Sequence, residues 1–195
     1  MSETTSIVLV GVGGQGILLA AQVTARAALL AGHDVKTNEV HGMAQRGGSV
    51  MAQIRFGQKV FSTLVPEGTA WVLASLERIE ALRFASILAP GGLAVVSSQA
   101  IVPVTVSSGQ ASYPADAEDR LKGAFPRLAY LDAVAIADKL GEPRAANVVI
   151  VGAFSTALSL PLECWMEALK QSVKPAAVAV NQGAFVEGQR LARAS

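Results

Sequence analysis

The chain has 195 residues, with 16 lysines and arginines, 15 aspartates and glutamates, two histidines and one cysteine, and its formal net charge is +1. A nearly neutral chain offers no broad positive surface for nucleic acid or for an anionic membrane, so neither partner is expected. A single cysteine supports neither an internal disulfide nor a cysteine-ligated iron–sulfur cluster. The first six residues are polar and acidic rather than basic and then apolar, which predicts a cytoplasmic protein without a secretory signal.

The balance of apolar and charged residues is unusual. Hydrophobic residues make up 51% of the chain and charged residues only 16%, whereas about 25% charged residues are usual in globular domains. No uninterrupted apolar run reaches the ~18 residues of a membrane-spanning helix. A chain with so few charges commonly covers part of its surface with another chain, so the composition favours an obligate partner. The alternative is an alanine-rich chain whose apolar content has no such meaning.

The first forty residues predict two strands around a helix. Residues 6–10 form a short, β-branched apolar run that is typical of a buried strand. The sequence GVGGQG follows at residues 11–16, and an alanine- and leucine-rich helix then continues to the C-terminal signal of Gly32. Residues 35–40 predict the second strand. Together these elements predict a βαβ unit with a parallel sheet and a right-handed crossover.

The middle of the chain predicts a hairpin and a second strand–helix–strand unit. Residues 49–56 alternate in polarity, residues 57–59 suit a turn, and residues 60–64 predict the returning strand of a β-hairpin. A turn, a buried strand, an amphipathic helix and a further strand are expected next, in that order, at residues 66–68, 71–75, 76–88 and 93–98.

The last hundred residues are mainly helical in pattern. Two strands are expected, at residues 101–106 and 128–131. Helices are expected at residues 114–125, 133–140, 146–160, 162–173 and 175–194. Asp132 is a candidate cap for the second of these helices. Since no linker or repeat interrupts the chain, residues 1–195 predict one three-layer α/β/α domain with a mostly parallel sheet, a β-hairpin insertion and a helical C-terminus.

The glycine loop is the first candidate site. Its G-x-G-x-x-G spacing follows a predicted strand and opens a helix, where free backbone N–H groups can meet an anion. Glu39, near the end of the second strand, stands where a dinucleotide-binding domain places its ribose-binding acid. A polar Gln15 at the helix start indicates a specific hydrogen bond. Three interpretations stay open: close packing of helix on strand, an anion or phosphate site, and a dinucleotide site.

A second polar cluster follows the second strand, and its members are Glu39, His41, Gln45, Arg46, Gly47 and Gly48. Arg46 is suited to bind a carboxylate or a phosphate through two parallel hydrogen bonds. His41 is suited to move a proton near neutral pH. The competing interpretation, which we favour from the residues, is a structural or inter-subunit ion-pair network of Glu39, Arg46 and Arg55.

Other polar side chains carry weaker signals. His33 is expected to be an exposed cation at the end of the first helix. Cys164 is expected to be a small core residue, and Asn181 to cap a neighbouring element or to reach a subunit contact. Two histidines and scattered acids have no recognisable metal-ligand spacing, so no metal site is expected.

Three segments carry a resemblance to a known family. The sequences GVGGQGI at residues 11–17, EVHGMAQRGGSV at residues 39–50 and RFG at residues 55–57 closely resemble the gamma-type subunits of 2-oxoacid:ferredoxin oxidoreductases. The middle segment is most similar to the small beta subunits of the indolepyruvate type. Further matches lie at Asn147, Gly152, Asn181, Ala184 and Phe185.

The resemblance implies a Rossmann-like α/β/α subunit of an enzyme that decarboxylates a 2-oxo acid oxidatively, with coenzyme A as acyl acceptor and ferredoxin as electron acceptor. It implies that thiamine diphosphate, magnesium and the iron–sulfur clusters belong to a larger alpha subunit, so that this chain alone holds no cofactor, and that coenzyme A approaches at the interface. The candidate substrate, coenzyme A or subunit contacts are Gly13, Gly14, Gln15, Gly16 and the second polar cluster. Self-association of the isolated chain is left open. The alternative is a free-standing nucleotide- or NAD(P)-binding protein that uses the glycine loop and Glu39.

Overall fold

A computed structural model describes residues 4–41, 47–102 and 112–194, except for the side chains of His41 and Ala194. Its strands are β1 (Thr5–Val12), β2 (Asp34–His41), β3 (Ser49–Gly57), β4 (Ala70–Ser75), β5 (Leu88–Ser97) and β6 (Leu128–Leu131). Its α-helices are α1 (Ile17–Leu30), α2 (Arg78–Arg83), α3 (Ala117–Ala124), α4 (Ala133–Lys139), α5 (Ala146–Ser155), α6 (Leu162–Ser172) and α7 (Val178–Ala194). Single 3₁₀ turns span Ala85–Ile87, Pro143–Ala145 and Pro175–Ala177.

The six strands form one sheet in the order β2-β3-β1-β4-β5-β6. Strands β1, β4, β5 and β6 pair in parallel, whereas β3 pairs antiparallel with both β1 and β2. β3 is therefore the one described strand that runs against the others. The predicted mostly parallel sheet is confirmed, but the β-hairpin predicted from residues 49–56 and 60–64 is not formed.

The expected pairing of the first two strands is wrong, because β3 lies between β1 and β2. β3 buries one complete face, with Ala52 and Ile54 fully inaccessible, and an apolar strand of this kind gains most from a central position. β2 carries exposed side chains at Lys36, Thr37 and Glu39, which suit an edge strand. Burial thus determines the strand order here, and chain order does not.

The expected second strand of the hairpin, at residues 60–64, is absent from the described structure. The antiparallel hairpin is formed by β2 and β3 instead. Side chains of β3 take over the hydrogen bonds of the following segment: Arg55 donates to the carbonyl oxygen of Leu64 over 3.0 Å, and the Gln53 Oε1 atom accepts from the backbone N–H of Val65 over 2.7 Å. Because these side chains already satisfy the backbone groups of Leu64 and Val65, those groups do not need hydrogen bonds from a neighbouring strand.

The amphipathic helix expected at residues 76–88 is shorter, because it begins only after Glu77. The Glu77 carboxylate accepts hydrogen bonds from the backbone N–H groups of Ile79 and Glu80, which caps α2. A 3₁₀ turn follows α2, and β5 begins at Leu88 instead of at residue 93. Of the strand expected at residues 101–106, Ile101 and Val102 are not in a strand, and the remainder lies outside the described residues.

Helices cover both faces of the sheet, which confirms the three-layer α/β/α architecture. Alternate residues of β1 enter two separate cores: Ile7 and Leu9 pack in the core of α1 and α4–α7, and Val8 and Val10 pack in the core of α2 and α3. The expected Asp132 cap of α4 is confirmed, since its Oδ1 atom accepts from the N–H of Ala135 over 3.0 Å. Within the described parts of the chain, no helix has the length and apolarity needed to cross a membrane.

Helix α5 lies at the centre of the larger helical layer. All of its residues except Ala146 are buried, as expected for a helix that is apolar on all sides. α7 crosses it so closely that a Cβ atom at Gly152 would overlap the carbonyl oxygen of Phe185, and a Cβ atom at Gly188 would overlap that of Val149. This crossing fixes α5, whose N-terminus then lies beside the glycine loop at Gly16.

Candidate functional site

The two polar loops predicted from the sequence meet at the carboxyl edge of the sheet. The backbone N–H of Gly13 donates to the carbonyl oxygen of Gly48 over 2.8 Å, and the N–H of Gly47 donates back to Gly13 over 3.4 Å. β1 and β4 end at this edge, and the helices that follow them pack on opposite faces of the sheet. In open α/β sheets such a switch point is where ligands usually bind.

Gln15 occupies that switch point. Its Oε1 atom accepts from the backbone N–H of Val12 over 2.7 Å, and its Nε2 atom donates to the carbonyl oxygen of Leu76 over 2.7 Å and to the Oε1 atom of Gln99 over 2.8 Å. One carboxamide therefore joins the segments that follow β1, β4 and β5. The specific hydrogen bond expected of Gln15 is confirmed, and its partners are groups of the chain itself.

Gly14 and Gly16 are required in the loop for different structural reasons. Gly14 has a φ of 105° and open space around its Cα atom, so backbone conformation alone excludes other residues there. Gly16 has a φ of 81°, and a Cβ atom at this position would also overlap the Nδ2 atom of Asn147. That Nδ2 atom donates to the carbonyl oxygen of Gly16 over 3.0 Å. Close approach of the loop to α5 accounts for Gly16, whereas the interpretation from the sequence was close packing of helix on strand.

A cavity of about 560 Å³ lies between the glycine loop and the N-terminus of α5. It is lined by Gly13, Gly14, Gln15, Gly16, Leu19, Leu76, Gln99, Ile101, Val134, Pro143, Arg144, Ala146 and Asn147. Its volume lies in the range of small-molecule sites. We refer to it as the α1–α5 cavity.

A second cavity, of about 320 Å³, lies on the α2 side of the same edge and contains Glu77 in its lining. Glu77 is only 2% exposed. Besides capping α2, its Oε1 atom accepts from the hydroxyl of Tyr113 over 2.6 Å and from the backbone N–H of Ile101 over 3.3 Å. We did not predict Glu77 as a site residue. The available signal was an acid two residues after a buried strand that ends at the carboxyl edge.

Tyr113 connects Glu77 to a cation. The Nε atom of Arg78 donates to the Tyr113 hydroxyl over 3.0 Å, and the guanidinium lies 4.8 Å from the centre of the phenol ring. Burial and the hydrogen bond to the Glu77 carboxylate raise the pKa of Tyr113 to about 12, although Arg78 acts in the opposite direction. The phenol therefore stays protonated and donates to Glu77 throughout the physiological range.

Glu80 forms a second buried link at the same edge. Its carboxylate accepts from the hydroxyl of Ser49, the first residue of β3, and forms an ion pair with Arg83 over 2.7 Å. Ser49 directly follows Gly48, so Glu80 anchors the end of the second polar loop on α2.

The remaining predicted residues of the second polar cluster are placed as follows. Glu39 lies on β2 and is exposed. His41 ends β2, with its backbone opposite Val50, and Gln45 and Arg46 lie outside the described residues. Arg46 therefore stays a prediction.

Within this chain, the predicted ion pair of Glu39 with Arg55 is wrong. Glu39 is opposite Ala52 in the ladder, whereas Arg55 is opposite Lys36. Because successive side chains of a strand point to opposite faces, Glu39 and Arg55 lie on different faces of the sheet. The Nε atom of Arg55 instead donates to the hydroxyl of Ser6 over 3.2 Å.

Two residues outside the edge also differ from expectation. His33 is half-buried, with its ring 5.2 Å from that of Phe56, and is not a freely exposed cation. Cys164 is only partly buried, although its neighbour Trp165 is fully so. Asn181, in contrast, donates to the carbonyl oxygen of Ala177 over 2.8 Å, in the 3₁₀ turn that precedes α7, which agrees with the expected contact to a neighbouring element. Within the described residues, no three histidine, cysteine or acidic side chains are grouped to hold a metal ion.

Comparison with known proteins gives strong matches along nearly the whole chain. Residues 6–191 match the family model described as pyruvate ferredoxin/flavodoxin oxidoreductase. The chain is 44% identical to the indolepyruvate oxidoreductase subunit IorB of Pyrococcus horikoshii and 43% identical to that of Thermococcus kodakarensis, each over 96% of both chains.

Solved structures of low sequence identity share the fold. The gamma subunit of a keto/oxoacid ferredoxin oxidoreductase from Geobacter sulfurreducens superimposes with a TM-score of 0.73 at 22% identity, over 98% of this chain and 99% of that one. A 2-oxoglutarate:ferredoxin oxidoreductase from Magnetococcus marinus, solved with coenzyme A bound, gives 0.75 at 20% identity, where this chain matches 32% of the longer one. The resemblance predicted from the sequence motifs is confirmed: the chain belongs to the pyruvate ferredoxin/flavodoxin oxidoreductase family.

Proposed function

We propose that the chain is the small subunit of an indolepyruvate-type 2-oxoacid:ferredoxin oxidoreductase. The observation that carries the proposal is the 44% identity, over 96% of both chains, to a subunit of that name. The assembled enzyme would convert a 2-oxo acid and coenzyme A into acyl-coenzyme A and carbon dioxide, and would pass the two electrons released to ferredoxin. The comparisons do not support the alternative of a free-standing NAD(P)-binding protein.

In this proposal a larger partner subunit holds thiamine diphosphate, magnesium and the iron–sulfur clusters. Thiamine diphosphate supplies the carbanion-stabilising chemistry of decarboxylation when it is bound there. The buried carboxylates of this chain's described edge do not fit a magnesium–diphosphate site. Glu77 accepts four internal hydrogen bonds, and Glu80 is engaged by Ser49 and Arg83.

The carboxyl edge is the surface that we assign to the partner and to the approach of coenzyme A. Three large apolar side chains near this edge are about half exposed: Leu18 at 46%, Val40 at 50% and Val102 at 52%. Exposed apolar groups of this kind are typical of a contact surface. The predicted contacts Gly13, Gly14, Gly16, Gly47 and Gly48 lie at the same edge. Residues 1–195 would act as one unit, in the cytoplasm.

Co-expression with a candidate large subunit tests the proposal. We expect the two chains to co-purify and to oxidise indolepyruvate with reduction of ferredoxin only when both are present. The large subunit alone, assayed at the same concentration, is the control. Full activity of the large subunit without this chain would contradict the assigned role.

Substitution of Arg46 tests whether this residue acts in ligand binding or in subunit assembly. In the complex, Arg46→Ala should lower turnover while the subunits still co-purify, because we propose that its guanidinium binds a carboxylate or phosphate. Arg120→Ala, which removes an exposed arginine from α3, is the matched control. Loss of co-purification in the Arg46 variant would show a structural role instead.

A further inference from the structure

Asn147 is a buried polar side chain at the start of α5, a helix whose next seven residues, 148–154, are all apolar. Only 2% of its surface is exposed. Its Nδ2 atom donates to the carbonyl oxygen of Gly16 over 3.0 Å, whereas its buried Oδ1 atom has no hydrogen-bond partner among the described residues. A buried polar atom without a partner is costly, so the presence of an amide at this position needs a reason.

The Gly16 carbonyl does not need the Asn147 amide as a partner. The backbone N–H of Ala20 donates to the same oxygen over 3.1 Å, as the first hydrogen bond of α1. An apolar side chain in place of Asn147 would leave this carbonyl paired and would remove the unpaired Oδ1 atom at the same time. Stability of the fold therefore gives no reason for an asparagine here. What the Asn147 contact does provide is a fixed position of the glycine loop relative to α5.

The glycine loop, residues 11–16, depends on side chains for its position. Four of its six residues are glycines, and glycine has more conformational freedom than any other residue. Gly14 is exposed, and no heavy atom lies within 4 Å of a Cβ atom built there. The hydrogen bonds of Gln15 tie the loop to the segments that follow the strands. Asn147 ties the other end of the loop to the helical layer.

Helix α5 is a suitable anchor because α7 holds it in place. The backbones of the two helices are in contact at Gly152 and Gly188, where neither position has room for a Cβ atom. A helix packed this closely cannot shift without moving its neighbour. The hydrogen bond of Asn147 therefore transfers a position set by the core of the molecule to a loop at its surface.

We propose that Asn147 is a positioning residue for the contact between the glycine loop and the large subunit. Its amide holds the loop at Gly16, so that Gly13 and Gly14 are presented at the carboxyl edge in the arrangement that the large subunit binds. A loop that is fixed before association loses less conformational entropy on binding. The identity of the partner rests on the proposed function, whereas the fixing of the loop by Asn147 does not.

Titration of the large subunit with the Asn147→Leu variant tests the proposal. The variant should have an unchanged or higher melting temperature and yet bind the large subunit at least about tenfold more weakly than the wild type. At saturation its turnover should return to within about threefold of the wild type. Val151→Ala is the matched control: it truncates a fully buried side chain of the same helix, so it should lower stability but leave the affinity unchanged. Wild-type affinity of Asn147→Leu, equal weakening by both substitutions, or turnover that stays low at saturation would overturn the proposal.

Hydrogen exchange of the full-length chain without its partner gives a second measurement. The N–H groups of Gly13 and Gln15 are bonded within the two polar loops, so their exchange reports local opening of the glycine loop. Both should exchange at least about tenfold faster in Asn147→Leu and in Asn147→Ala, and at the wild-type rate in Val151→Ala. The alanine variant keeps the test valid if leucine does not fit. Failure of the wild type to bind the large subunit would contradict the proposed function, whereas unchanged exchange in both Asn147 variants would overturn this inference by itself.

Discussion

The side-chain carboxamide of Gln15 forms three hydrogen bonds that join the chain segments at the ends of β1, β4 and β5. We predict that Gln15→Leu lowers the free energy of unfolding by about 2–4 kcal/mol. The substitution removes three hydrogen bonds and leaves the N–H of Val12 and the carbonyl of Leu76 without these partners. Chemical denaturation of both proteins measures the difference.

Gln22→Leu is the matched control for this substitution, because Gln22 is exposed on α1. Its effect should stay within about 0.5 kcal/mol, as is usual for surface positions. Equal stability of the two variants would mean that the Gln15 hydrogen bonds do not hold the strand ends together.

The phenol of Tyr113 gives a prediction for alkaline pH. Burial and the hydrogen bond to Glu77 raise its pKa in the folded chain to about 12, from an ordinary value of 10.0. Because the folded pKa is the higher one, the stability that it contributes is fully present below about pH 10 and is lost as the pH rises toward 12. Replacement of Glu77 by glutamine removes the second cause of the shift, whereas burial, the first cause, remains.

We therefore expect the titration midpoint of Tyr113 to fall in the Glu77→Gln variant. The chain has two tyrosines, so a Tyr130→Phe background isolates the phenolate absorbance of Tyr113. A midpoint that is the same with glutamate and glutamine would contradict the assigned hydrogen bond.

Residue types reveal some of these roles and conceal others. A polar Gln15 inside a glycine loop indicates a hydrogen bond, although the sequence does not indicate its partners. Glu77 was concealed, because in an amphipathic pattern an acid next to Arg78 is typical of a solvated helix face. Its burial depends on Tyr113 and Ile101, which are distant in sequence. Only the folded chain brings these groups together.

At the level of helices, the crossing of α5 and α7 depends on two glycines. Gly152→Ala should lower the free energy of unfolding by about 2–3 kcal/mol or more, since its Cβ atom would overlap the backbone of Phe185. Gly183→Ala on α7 is the control, because it is exposed and no heavy atom lies within 4 Å of the added Cβ atom. That control should be stabilising by about 0.5–1 kcal/mol. Thermal and chemical denaturation should show a lower free energy of unfolding for the Gly152 variant and a higher one for the Gly183 variant. A destabilised Gly183 variant would show that the helix pair tolerates no added methyl group, so the Gly152 result would not be specific to the crossing.

The strands that the sequence predicts correctly are those that a local pattern of apolar residues and turn residues determines. β6 was predicted with its observed bounds, and β1 and β4 within two residues of them, because each is a short apolar run between clear breaks. The insertion of β3 between β1 and β2 was not predictable, since strand order depends on the burial of whole strand faces. The strand expected at residues 60–64 failed because Arg55 and Gln53 bind the backbone that a strand partner would otherwise have bound.

At the scale of the whole molecule, the high apolar content of the sequence appears as large apolar side chains that are exposed on the described surface. Large apolar side chains remain exposed at both ends of α1, at Leu18 near the glycine loop and at Leu29 near the opposite end of the helix. The carboxyl edge adds Val40 and Val102, together with two cavities. Leu29, Phe61 and Trp71 are exposed toward the opposite edge as well, so apolar exposure alone does not select one edge. The meeting of the two polar loops is what makes the carboxyl edge the surface that we expect a larger subunit to cover.

Paired substitutions on α1 test this orientation. Leu18→Gln should weaken association with the large subunit by about 10–100-fold, because burial of a leucine contributes about 1.5–3 kcal/mol and a glutamine at the contact loses it. Leu29→Gln should leave association unchanged, although it removes the same side chain from the same helix. Leu18 and Leu29 are 46% and 58% exposed, so both variants should unfold within about 0.5 kcal/mol of the wild type. Titration of the large subunit with each variant gives the dissociation constants. Stronger weakening by Leu29→Gln than by Leu18→Gln would place the partner at the opposite end of α1 and would remove the carboxyl edge from the subunit contact.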